Sequence, residues 1–402
     1  MNNWSRYIGW LLGSMMVLLI QACRSNDQEL QKEAPTLQIH VFTPEHPIVT
    51  RNDNGPVASD NQEKKLTDLR IWVFEHENGA PVGYLHPDVA VNSGNGGTFL
   101  MAVSDDFAAR RPNVDVYVMA NVMADNSNIT SVPDGSATRE QLDAIMIEHD
   151  GNKDPFGLTT PKTSLGDGDY LPMSGVLKNQ PVTYNAPVLS INNVQVVRAV
   201  SKVRFVFSRS ASVNQEVRIK KITFNGGVIP KAEYLFLNEA YTPRSYHIAT
   251  SQGYEGKTSE ENVLLDKTGT TDIPITAPSS LDPAKFAWNG AISGQDYENL
   301  INEELAKTET EDVKREIVEG CRAYLRESDK VITGKIYYTV GDSDDDDLRS
   351  ETFSLWEAGD FSRNHTWVVY GYFAGGNNLR IFTVSFTEWE TLPTSKHDVN
   401  NW

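Results

Sequence analysis

Acidic clusters are the residues whose type and spacing could bind a metal ion. Residues Asp342–Asp347 read Asp-Ser-Asp-Asp-Asp-Asp, and hard cations such as calcium bind several carboxylate oxygens. This cluster separates two runs that are typical of strands, and a solvated hairpin loop explains its charges without an ion. A second cluster, Asp150–Pro161, begins like a calcium loop. It has Pro155 where such a loop has glycine and Pro161 where such a loop has glutamate, so the motif fails. We therefore expect no metal site and no cofactor.

Histidine and cysteine, the usual catalytic side chains, lack the partners that catalysis needs. The eight histidines are scattered without a His-x-x-x-His pair, and no Gly-x-Ser-x-Gly motif occurs. Cys321 has Ile317 and Tyr324 at helical spacing, which predicts a helix within residues 312–325 and a buried thiol. A buried thiol without a histidine beside it is a poor nucleophile. The sequence thus favours a protein that is not an enzyme.

Length and charge restrict the class of protein further. The chain has 402 residues, enough for two or three domains of about 150 residues each. Its 36 basic and 54 acidic residues give a net charge of −18, and no basic block occurs, so we expect no nucleic acid partner. Glycine and proline repeatedly interrupt short runs of Val, Ile, Tyr and Phe, a pattern typical of β structure.

The N-terminus has the pattern of a targeting segment. Arg6 precedes an apolar stretch, Trp10–Ile20, that is too short to span a bilayer, and Ile20-Gln-Ala22-Cys23 follows. This ending resembles the lipobox of bacterial lipoproteins, which implies cleavage between Ala22 and Cys23 and acylation of Cys23. The alternative is an ordinary secretory signal with an incidental cysteine. Residues 1–22 are then the signal peptide and 23–36 a polar tether.

The first strand-like run of the mature chain stands apart from the rest. In Leu37–Phe42 apolar and polar residues alternate, and the next strongly β-type run is Leu66–Phe74. The polar segment between them carries Arg51, Lys64 and Lys65, where a protease could cut. Cutting would free the first strand and leave a groove with unpaired backbone groups, which a strand of another chain could fill.

The remaining pattern predicts two consecutive β-sandwich domains, residues 37–189 and 190–402. In the first half, 97–103 and 114–120 read as strands, the second of them apolar on both faces. Thr138–His149 reads as a helix, with Thr138 and Gln141 as a capping box. The second half begins with one long strand, 194–207, and a helical stretch is expected at 297–327. The other expected strands are 218–224, at hairpin distance from 194–207, and 331–340, 351–355, 365–373 and 379–386.

Aromatic residues concentrate towards the C-terminus and admit two interpretations. Alternating aromatics in strands are usually core residues, whereas exposed ones could form a carbohydrate-binding platform. The residues concerned are Trp356, Trp367, Tyr370, Tyr372, Phe373, Phe382, Phe386, Trp389 and Trp402.

Several short motifs, taken in order, resemble the Bacteroidales fimbrillins, the FimA and Mfa type subunits of type V pili. The motifs are the lipobox at Cys23, the early strand with its arginine-containing loop, Leu69–Phe74, Val116–Asn121, Leu171–Gly175, Val197–Val203 and Arg363–His365. The resemblance spans nearly the whole chain. It implies an all-β fold of two transthyretin-like sandwiches with small helical insertions, and a role as a structural subunit of a surface fimbria.

The resemblance also implies how such a subunit assembles. The precursor is an outer membrane lipoprotein, and an Arg-specific surface protease removes the first strand, here by cutting between Arg51 and Asn52. The groove then accepts a donor strand from another fimbrial subunit. The donor is expected within 383–402, with Thr383, Phe386, Trp389, Val399 and Trp402 as its recognised side chains.

Shaft, tip and anchor roles stay open at this point. A tip subunit would also bind an adhesion ligand on a host or bacterial cell, and an anchor would keep its lipid and its first strand. A surface glycan-binding lipoprotein is the alternative from another class.

Overall fold

The computed structural model of the chain describes fifteen segments. They are residues 34–43, 66, 68–87, 96–122, 133–148, 171–185, 188–238, 248, 250–268, 273–275, 294–341, 347–355, 361–374, 379–387 and 395–398.

The first half of the chain contributes eleven strands and two short helices. In chain order they are β1 (Thr36–Phe42), β2 (Leu69–Glu75), β3 (Pro81–Leu85), β4 (Gly96–Ala102), α1 (Asp105–Arg110), β5 (Val114–Ala120), α2 (Arg139–Asp143), β6 (Met146–Glu148), β7 (Met173–Gln180), β8 (Thr183–Asn185), β9 (Val188–Ser190), β10 (Val194–Gln195) and β11 (Val197–Arg198).

The second half contributes eleven further strands and one longer helix. They are β12 (Ser201–Arg209), β13 (Val217–Asn225), β14 (Ala232–Tyr234), β15 (Glu261–Asp266), β16 (Ile273–Ile275), α3 (Gly294–Leu305), β17 (Val318–Leu325), β18 (Ile332–Val340), β19 (Arg349–Leu355), β20 (His365–Phe373), β21 (Leu379–Thr387) and β22 (Ser395–Asp398). A 3₁₀ turn covers Thr250–Gln252.

Strands β1 to β5 and β7 to β11 form a sandwich of two five-stranded sheets. One sheet has the order β10-β1-β9-β8 with β4 paired to β1, and the other has the order β11-β7-β5-β2-β3. Their facing side chains form a single apolar core, which contains Leu37 and Ile39 from one sheet and Ile71 and Val116 from the other. The second sheet is also covered on its outer face, where Trp72 and other side chains pack against α2 and residues Leu235 and Phe236.

Strands β12, β13 and β15 to β22 form a second sandwich of the same kind. Its sheets have the orders β17-β12-β20-β21-β22 and β15-β13-β18-β19, the latter with β16 paired to β13. Phe205, Phe224 and Phe353 meet edge to face in its core, with ring centroids 5.1 to 6.1 Å apart. The all-β class and the sandwich architecture expected from the sequence are confirmed. Sheet membership changes from the first sandwich to the second between Arg198 and Ser201.

Helix α3 covers the outer face of the second sandwich and is fixed there by charge. Glu298 of α3 lies between Lys202 and Arg204 of β12, at 2.7 and 3.1 Å, and all three side chains are buried. Burial alone would favour the neutral acid, but the two cations hold the pKa of Glu298 well below its usual range. Arg204 also binds Glu319 of β17 at 2.7 Å. The helix therefore cannot leave without exposing unpaired charges on the sheet.

Two predictions for single elements of the first half, the strand at 114–120 and the helix at 138–149, can be compared with the structure. Strand β5 is buried at every position, because one face lies in the sandwich core and the other under α2. The capping box of Thr138 and Gln141 is present, but α2 ends at Asp143. The residues after it form β6, which pairs with β14, so the prediction of a helix through His149 was too long.

The predicted helix at 312–325 is wrong, because these residues contain strand β17. Cys321, Ala323 and Leu325 face the core of the second sandwich, while Tyr324 on the opposite face packs in the core of the first. A strand with apolar residues on both faces imitates helical spacing over a short run. The predicted burial of Cys321 is confirmed, and burial raises the pKa of its thiol. Helix α3 likewise ends at Leu305 instead of continuing to 327.

The predicted strand at 194–207 is in fact three strands in three different sheets. Val194 pairs with β1, Val197 and Arg198 pair with β7, and β12 belongs to the second sandwich. The prediction of a hairpin with 218–224 is wrong as well, because β13 lies in the facing sheet and pairs with β15, β16 and β18. A continuous β-type composition does not show where a chain steps from one sheet to the next.

The C-terminal aromatics that the structure describes are core residues. Trp367 and Phe373 lie in the core of the second sandwich, and Tyr370 and Tyr372 lie under α3. They therefore form no exposed platform for a carbohydrate. The side chains of Trp356, Phe382, Phe386, Trp389 and Trp402 lie outside the described part of the chain.

A buried ion network joins the two sandwiches. Arg363 and Glu327, both fully buried, lie 2.7 Å apart. The Arg363 guanidinium also donates to the carbonyl oxygens of Tyr234 and Leu235, at 2.6 and 2.7 Å. These two residues belong to the segment around β14, which lies against the first sandwich through β6 and through a hydrogen bond from Ser174. Arg363 thus fixes a segment of the second half of the chain on the first sandwich.

Glu233 is the titratable group of this network. It is fully buried beside Glu327, whose backbone N–H donates to Glu233 Oε2 at 3.2 Å. Burial, the largest cause, raises the pKa of Glu233 to about 8, with Glu327 adding to the effect and Arg363 and Arg326 opposing it. The folded protein therefore holds a proton on Glu233 at neutral pH.

We predict that this proton makes the stability of the protein fall as the pH rises. Between the unfolded value near 4.5 and the folded value near 8, the folded state binds a proton that the unfolded state has lost, so the unfolding free energy declines through this range and levels off above it. Glu233→Gln keeps the neutral form. Urea unfolding at about pH 5 and about pH 9 should show that the variant escapes at least about 1.4 kcal/mol of the decline, the value of one pKa unit.

Glu77→Gln, at an exposed glutamate of the first sandwich, is the control and should behave as the unsubstituted protein. If the Glu233→Gln protein lost as much stability as the unsubstituted protein over this range, Glu233 would not be protonated in the fold.

Candidate functional site

Strand β1 is a central strand of its sheet although it is the first strand that the structure describes. Along its full length, from Thr36↔Ala102 to Phe42↔Gly96, it pairs antiparallel with β4. On its other edge it pairs parallel with two strands, β9 opposite Thr36–Gln38 and β10 opposite Val41–Phe42. The strand thus closes the gap between β4 on one side and β9 and β10 on the other.

The backbone of β1 divides its hydrogen bonds between the two edges. Val103 donates to the carbonyl of Pro35 at 3.0 Å, which places that pair in hydrogen-bonding register, and hydrogen-bonded pairs alternate along an antiparallel ladder. Leu37, Ile39 and Val41 therefore direct their backbone groups towards β4. The intervening residues direct theirs to the other edge, as the bond from Val196 to the carbonyl of Phe42, at 2.9 Å, shows.

One face of β1 supplies part of the sandwich core. Leu37, Ile39 and Val41 are fully buried and belong to the apolar cluster between the two sheets. Burying an aliphatic side chain of this size contributes about 1.5 to 3 kcal/mol, so the three together contribute several kcal/mol. A strand that replaced β1 would have to present apolar residues at alternate positions.

The other face of β1 is only partly buried and makes few contacts. His40 Nδ1 lies 3.1 Å from Thr98 Oγ1, and the His40 ring stacks on Phe42 with centroids 6.1 Å apart. Residues on this face can be replaced at little cost to the core. A strand that fits this position therefore needs two requirements met: backbone pairing on both edges, and apolar side chains at the positions of Leu37, Ile39 and Val41.

The predicted lipidation and cleavage residues, together with three of the predicted donor-strand residues, lie outside the described part of the chain. These are Ala22, Cys23, Arg51, Asn52, Trp389, Val399 and Trp402. Lipidation at Cys23 and cleavage after Arg51 stay predictions.

The predicted donor segment is divided between strands β21 and β22. Thr383 and Phe386 lie within β21, paired with Val369 and Thr366 of β20. Strand β22, Ser395–Asp398, pairs with β21 from Phe382↔Asp398 to Ser385↔Ser395 and is the last strand at this edge of its sheet. Residues beyond Thr387 can leave the sheet without breaking the β20–β21 ladder, whereas Thr383 and Phe386 cannot.

Five of the motifs behind the fimbrillin resemblance are neighbours in space. Leu69–Phe74 lies in β2, which pairs with β5; β5 pairs with β7 from the Leu171–Gly175 motif, and β7 pairs with β11. Arg198 of β11 then donates from Nε to Asn364 at 3.2 Å. These five motifs thus follow one sheet of the first sandwich to the junction with the second.

Sequence reasoning missed Glu233, Glu327 and Glu298. Glu298 and Glu327 stand among other charged and polar residues, such as Asp296 and Arg326, and nothing in the sequence distinguishes them or Glu233 as glutamates buried beside a cation. Arg363 was noticed within a motif, but its partners lie 36 and 128 positions away in the sequence.

The described residues contain no group of three or more His, Cys, Asp or Glu side chains arranged to hold an ion. Of the Asp342–Asp347 cluster only Asp347 is described, at 3.6 Å from Arg349. Within the same residues no helix is long and apolar enough to cross a membrane.

We predict that the two faces of β1 differ sharply in their contribution to stability. Ile39→Ala removes buried methyl groups from the core between the sheets and should lower the unfolding free energy by about 2 to 5 kcal/mol. His40→Ala, on the outer face of the same strand, should change it by about 0.5 kcal/mol or less. Urea unfolding followed by circular dichroism measures both, and equal losses would contradict the placement of β1 in the core.

No protein-family model matches the chain, and no curated protein matches it either. Among solved structures, a candidate cell adhesion protein from Parabacteroides distasonis is similar at 12% identity, over 90% of this chain and 99% of that chain, with a TM-score of 0.47.

Two further solved structures come from Porphyromonas gingivalis. The tip fimbrial protein Mfa3, with a C-terminal truncation, is 11% identical over 88% of this chain and 99% of its own, with a TM-score of 0.45. The fimbrial anchor protein Mfa2 is 9% identical over 87% and 97%, with a TM-score of 0.34. Of these three structures, one is of a candidate cell adhesion protein and two are of fimbrial proteins.

Proposed function

We propose that the chain is a structural subunit of a surface fimbria, in its shaft or at its tip, and that it assembles by protease-triggered strand exchange. One observation carries this proposal: β1 is paired on both edges and buried on one face, yet it is the first described strand and is separated from β2 by a polar segment of sequence that contains Arg51. The role is structural and not catalytic. The partners are other fimbrial subunits, and a tip subunit would add an adhesion ligand.

Loss of β1 would leave a groove with defined requirements. The inward backbone groups of β4 and those of β9 and β10 would lose their partners, and the core would lose three aliphatic side chains. Unpaired buried backbone groups and an exposed apolar channel are both costly. A strand from another subunit that pairs with β4 and fills the channel would remove both costs, which is the physical basis of strand addition.

The donor in this proposal comes from the residues after β21. Strand β22 has a single ladder among the described residues, to β21, and its four residues leave the rest of the sheet intact when they detach. The proposed donor therefore lies within 388–402, where Trp389, Val399 and Trp402 supply apolar side chains. Thr383 and Phe386 serve to hold the base of this segment.

Export as a lipoprotein is part of the proposal and rests on the Ile20–Cys23 sequence. Acyl chains on Cys23 would hold the precursor at the outer membrane until cleavage. Cutting after Arg51 would separate the lipid together with β1 from the rest of the chain, so that one cleavage both releases the subunit and opens its groove.

Arg51→Ala should block processing and polymer formation in cells that make the fimbria. The substitution leaves the proposed Arg-specific protease without its cleavage site, so the precursor should keep β1 and its acylated Cys23. Lys64→Ala, in the same segment of the sequence, is the matched control and should assemble normally. Polymer on the cell surface is measured by its resistance to dissociation on a denaturing gel.

N-terminal sequencing of surface protein decides between the alternatives. A start at Asn52 supports the processed subunit, and a blocked Cys23 indicates an uncleaved anchor. If the Arg51→Ala protein forms polymer and its N-terminus is processed as before, the cleavage site is elsewhere.

Deletion of residues 391–402 should prevent a subunit from donating its strand while leaving its own groove able to accept one. Mixed with unaltered subunits, the truncated protein should therefore end the polymer, so that the mean length falls as its share rises. Circular dichroism and the unfolding midpoint confirm that the truncated chain is folded. Unchanged polymer length at a high share of truncated chains would remove this segment from the donor role.

A further inference from the structure

Strand β1 is held less firmly at its Phe42 end than at its Leu37 end. On the parallel edge, Thr36–Gln38 forms three pairs with β9, whereas Val41 and Phe42 form two pairs with β10. The bond from Val196 to the Phe42 carbonyl ends this second ladder. Strand β9 also pairs with β8, but β10 has no second ladder among the described residues. The Phe42 end therefore pairs with a shorter strand that no further described strand supports.

A break in the same edge separates these two ladders. Strand β9 ends at Ser190 and β10 begins at Val194. Opposite the residues between them, Ile39 and His40 of β1 have no ladder pair on this edge among the described residues. Because the pairing does not continue across the break, one end of β1 can detach from this edge while the other end stays paired.

The antiparallel edge of β1 shows the same difference between the two ends. Val41 and Phe42 face two glycines of β4, residues 97 and 96, and Leu37 at the other end faces a methionine. Contacts between facing side chains stabilise a pair of strands, and glycine has no side chain to make them. The Phe42 end thus gains little from β4 beyond its backbone hydrogen bonds.

Strand β4 itself is fixed at its C-terminal end, opposite the start of β1. Met101 lies against Gly83 of β3, where an added Cβ would collide with the Met101 sulfur. Val103 and Phe107, which follow β4, belong to the core of the first sandwich, and Val103 donates to the Pro35 carbonyl at 3.0 Å. This end of the groove is therefore held by the core as well as by β1.

Departure of β1 as one piece would expose the whole groove. Leu37 and Val41 are both fully buried in the same apolar core, and among the described residues β4 has no ladder other than the one with β1. Leaving these side-chain sites empty and these backbone groups unpaired is costly. A strand that replaces β1 pair by pair avoids this cost, because each contact that β1 loses is made again by the new strand.

We propose that an incoming strand displaces β1 progressively, starting at the Phe42 end, and that the Leu37 end leaves last. The proposed cut after Arg51 lies in the sequence that follows Phe42, so it separates β1 from the rest of the chain at the end that is held less firmly. Cleavage thus prepares the exchange, and the incoming strand completes the release of β1. This order of steps rests on the proposed strand exchange.

Uptake of a peptide by the purified chain tests whether the incoming strand takes part in the slow step. The full chain, with a sequence-specific protease site introduced next to Arg51, is cut and mixed with an excess of a fluorescent peptide of residues 35–43. Anisotropy should show uptake at a rate that rises with the peptide concentration, whereas the uncut chain, whose β1 stays attached, should take up little. A rate that does not change with peptide concentration, or no uptake by the cut chain, would overturn the proposal.

Two substitutions in β1 of the chain, with the peptide left unsubstituted, test the direction of displacement. Val41→Ala should speed uptake several-fold, since the contacts of Val41 are lost before the slow step. Leu37→Ala should leave the rate nearly unchanged, since the contacts of Leu37 are still made at that step. Both side chains are fully buried, so Leu37→Ala is the matched control.

Acceleration by Leu37→Ala that equals or exceeds that by Val41→Ala would overturn the proposed order. If either variant did not fold, as circular dichroism would show, the dependence of the unsubstituted chain on peptide concentration would still decide whether displacement occurs. Peptide uptake requires no fimbria, so the Arg51→Ala experiment in cells tests the proposed function separately.

Discussion

A strand in the middle of a sheet must be paired on both edges, and the first sandwich depends on β1 to fill such a position. Its backbone satisfies β4 on one side and β9 and β10 on the other, while Leu37, Ile39 and Val41 complete the core. The fold specifies that some strand must occupy this position, with apolar residues on one face. It places few demands on the other face, where His40 and Phe42 are only partly buried. A strand of another chain can meet these two requirements, backbone pairing on both edges and apolar residues on one face.

The junction between the sandwiches follows a different principle. Arg363 and Glu327 are fully buried, so their attraction offsets the cost of removing them from water and adds little net stability. Their contribution is directional, because the hydrogen bonds from the Arg363 guanidinium to the carbonyls of Tyr234 and Leu235 require a defined orientation of the two segments. Apolar packing alone, such as that of Phe236 on Tyr117, would tolerate sliding. The ion network fixes how the segment around β14 lies on the first sandwich.

Local patterns in the sequence predicted the all-β class, the burial of β5 on both faces, the capping box at Thr138 and β1 itself. Each of these depends on neighbouring residues and on one periodicity. The failures share a cause in tertiary structure. The run from Val194 to Arg209 has one composition but enters three sheets, and Cys321 sits in a strand whose two faces lie in two different cores. The ionic partners of Arg363 and Glu298 come from distant positions, and a single sequence holds no record of such contacts.

The joint at Arg363 has a mechanical consequence. If a filament holds the subunit at the β1 groove and at the C-terminal tail, as proposed, tension passes from the first sandwich to the second. The covalent route is the short link at Val200, beside which Asn364 donates to the Val200 carbonyl at 2.9 Å. The hydrogen bonds from the Arg363 guanidinium to the carbonyls of Tyr234 and Leu235 form a second, non-covalent connection, which carries part of the same load. Stiffness under pulling is then set by a few buried hydrogen bonds at this joint, and less by the size of either core.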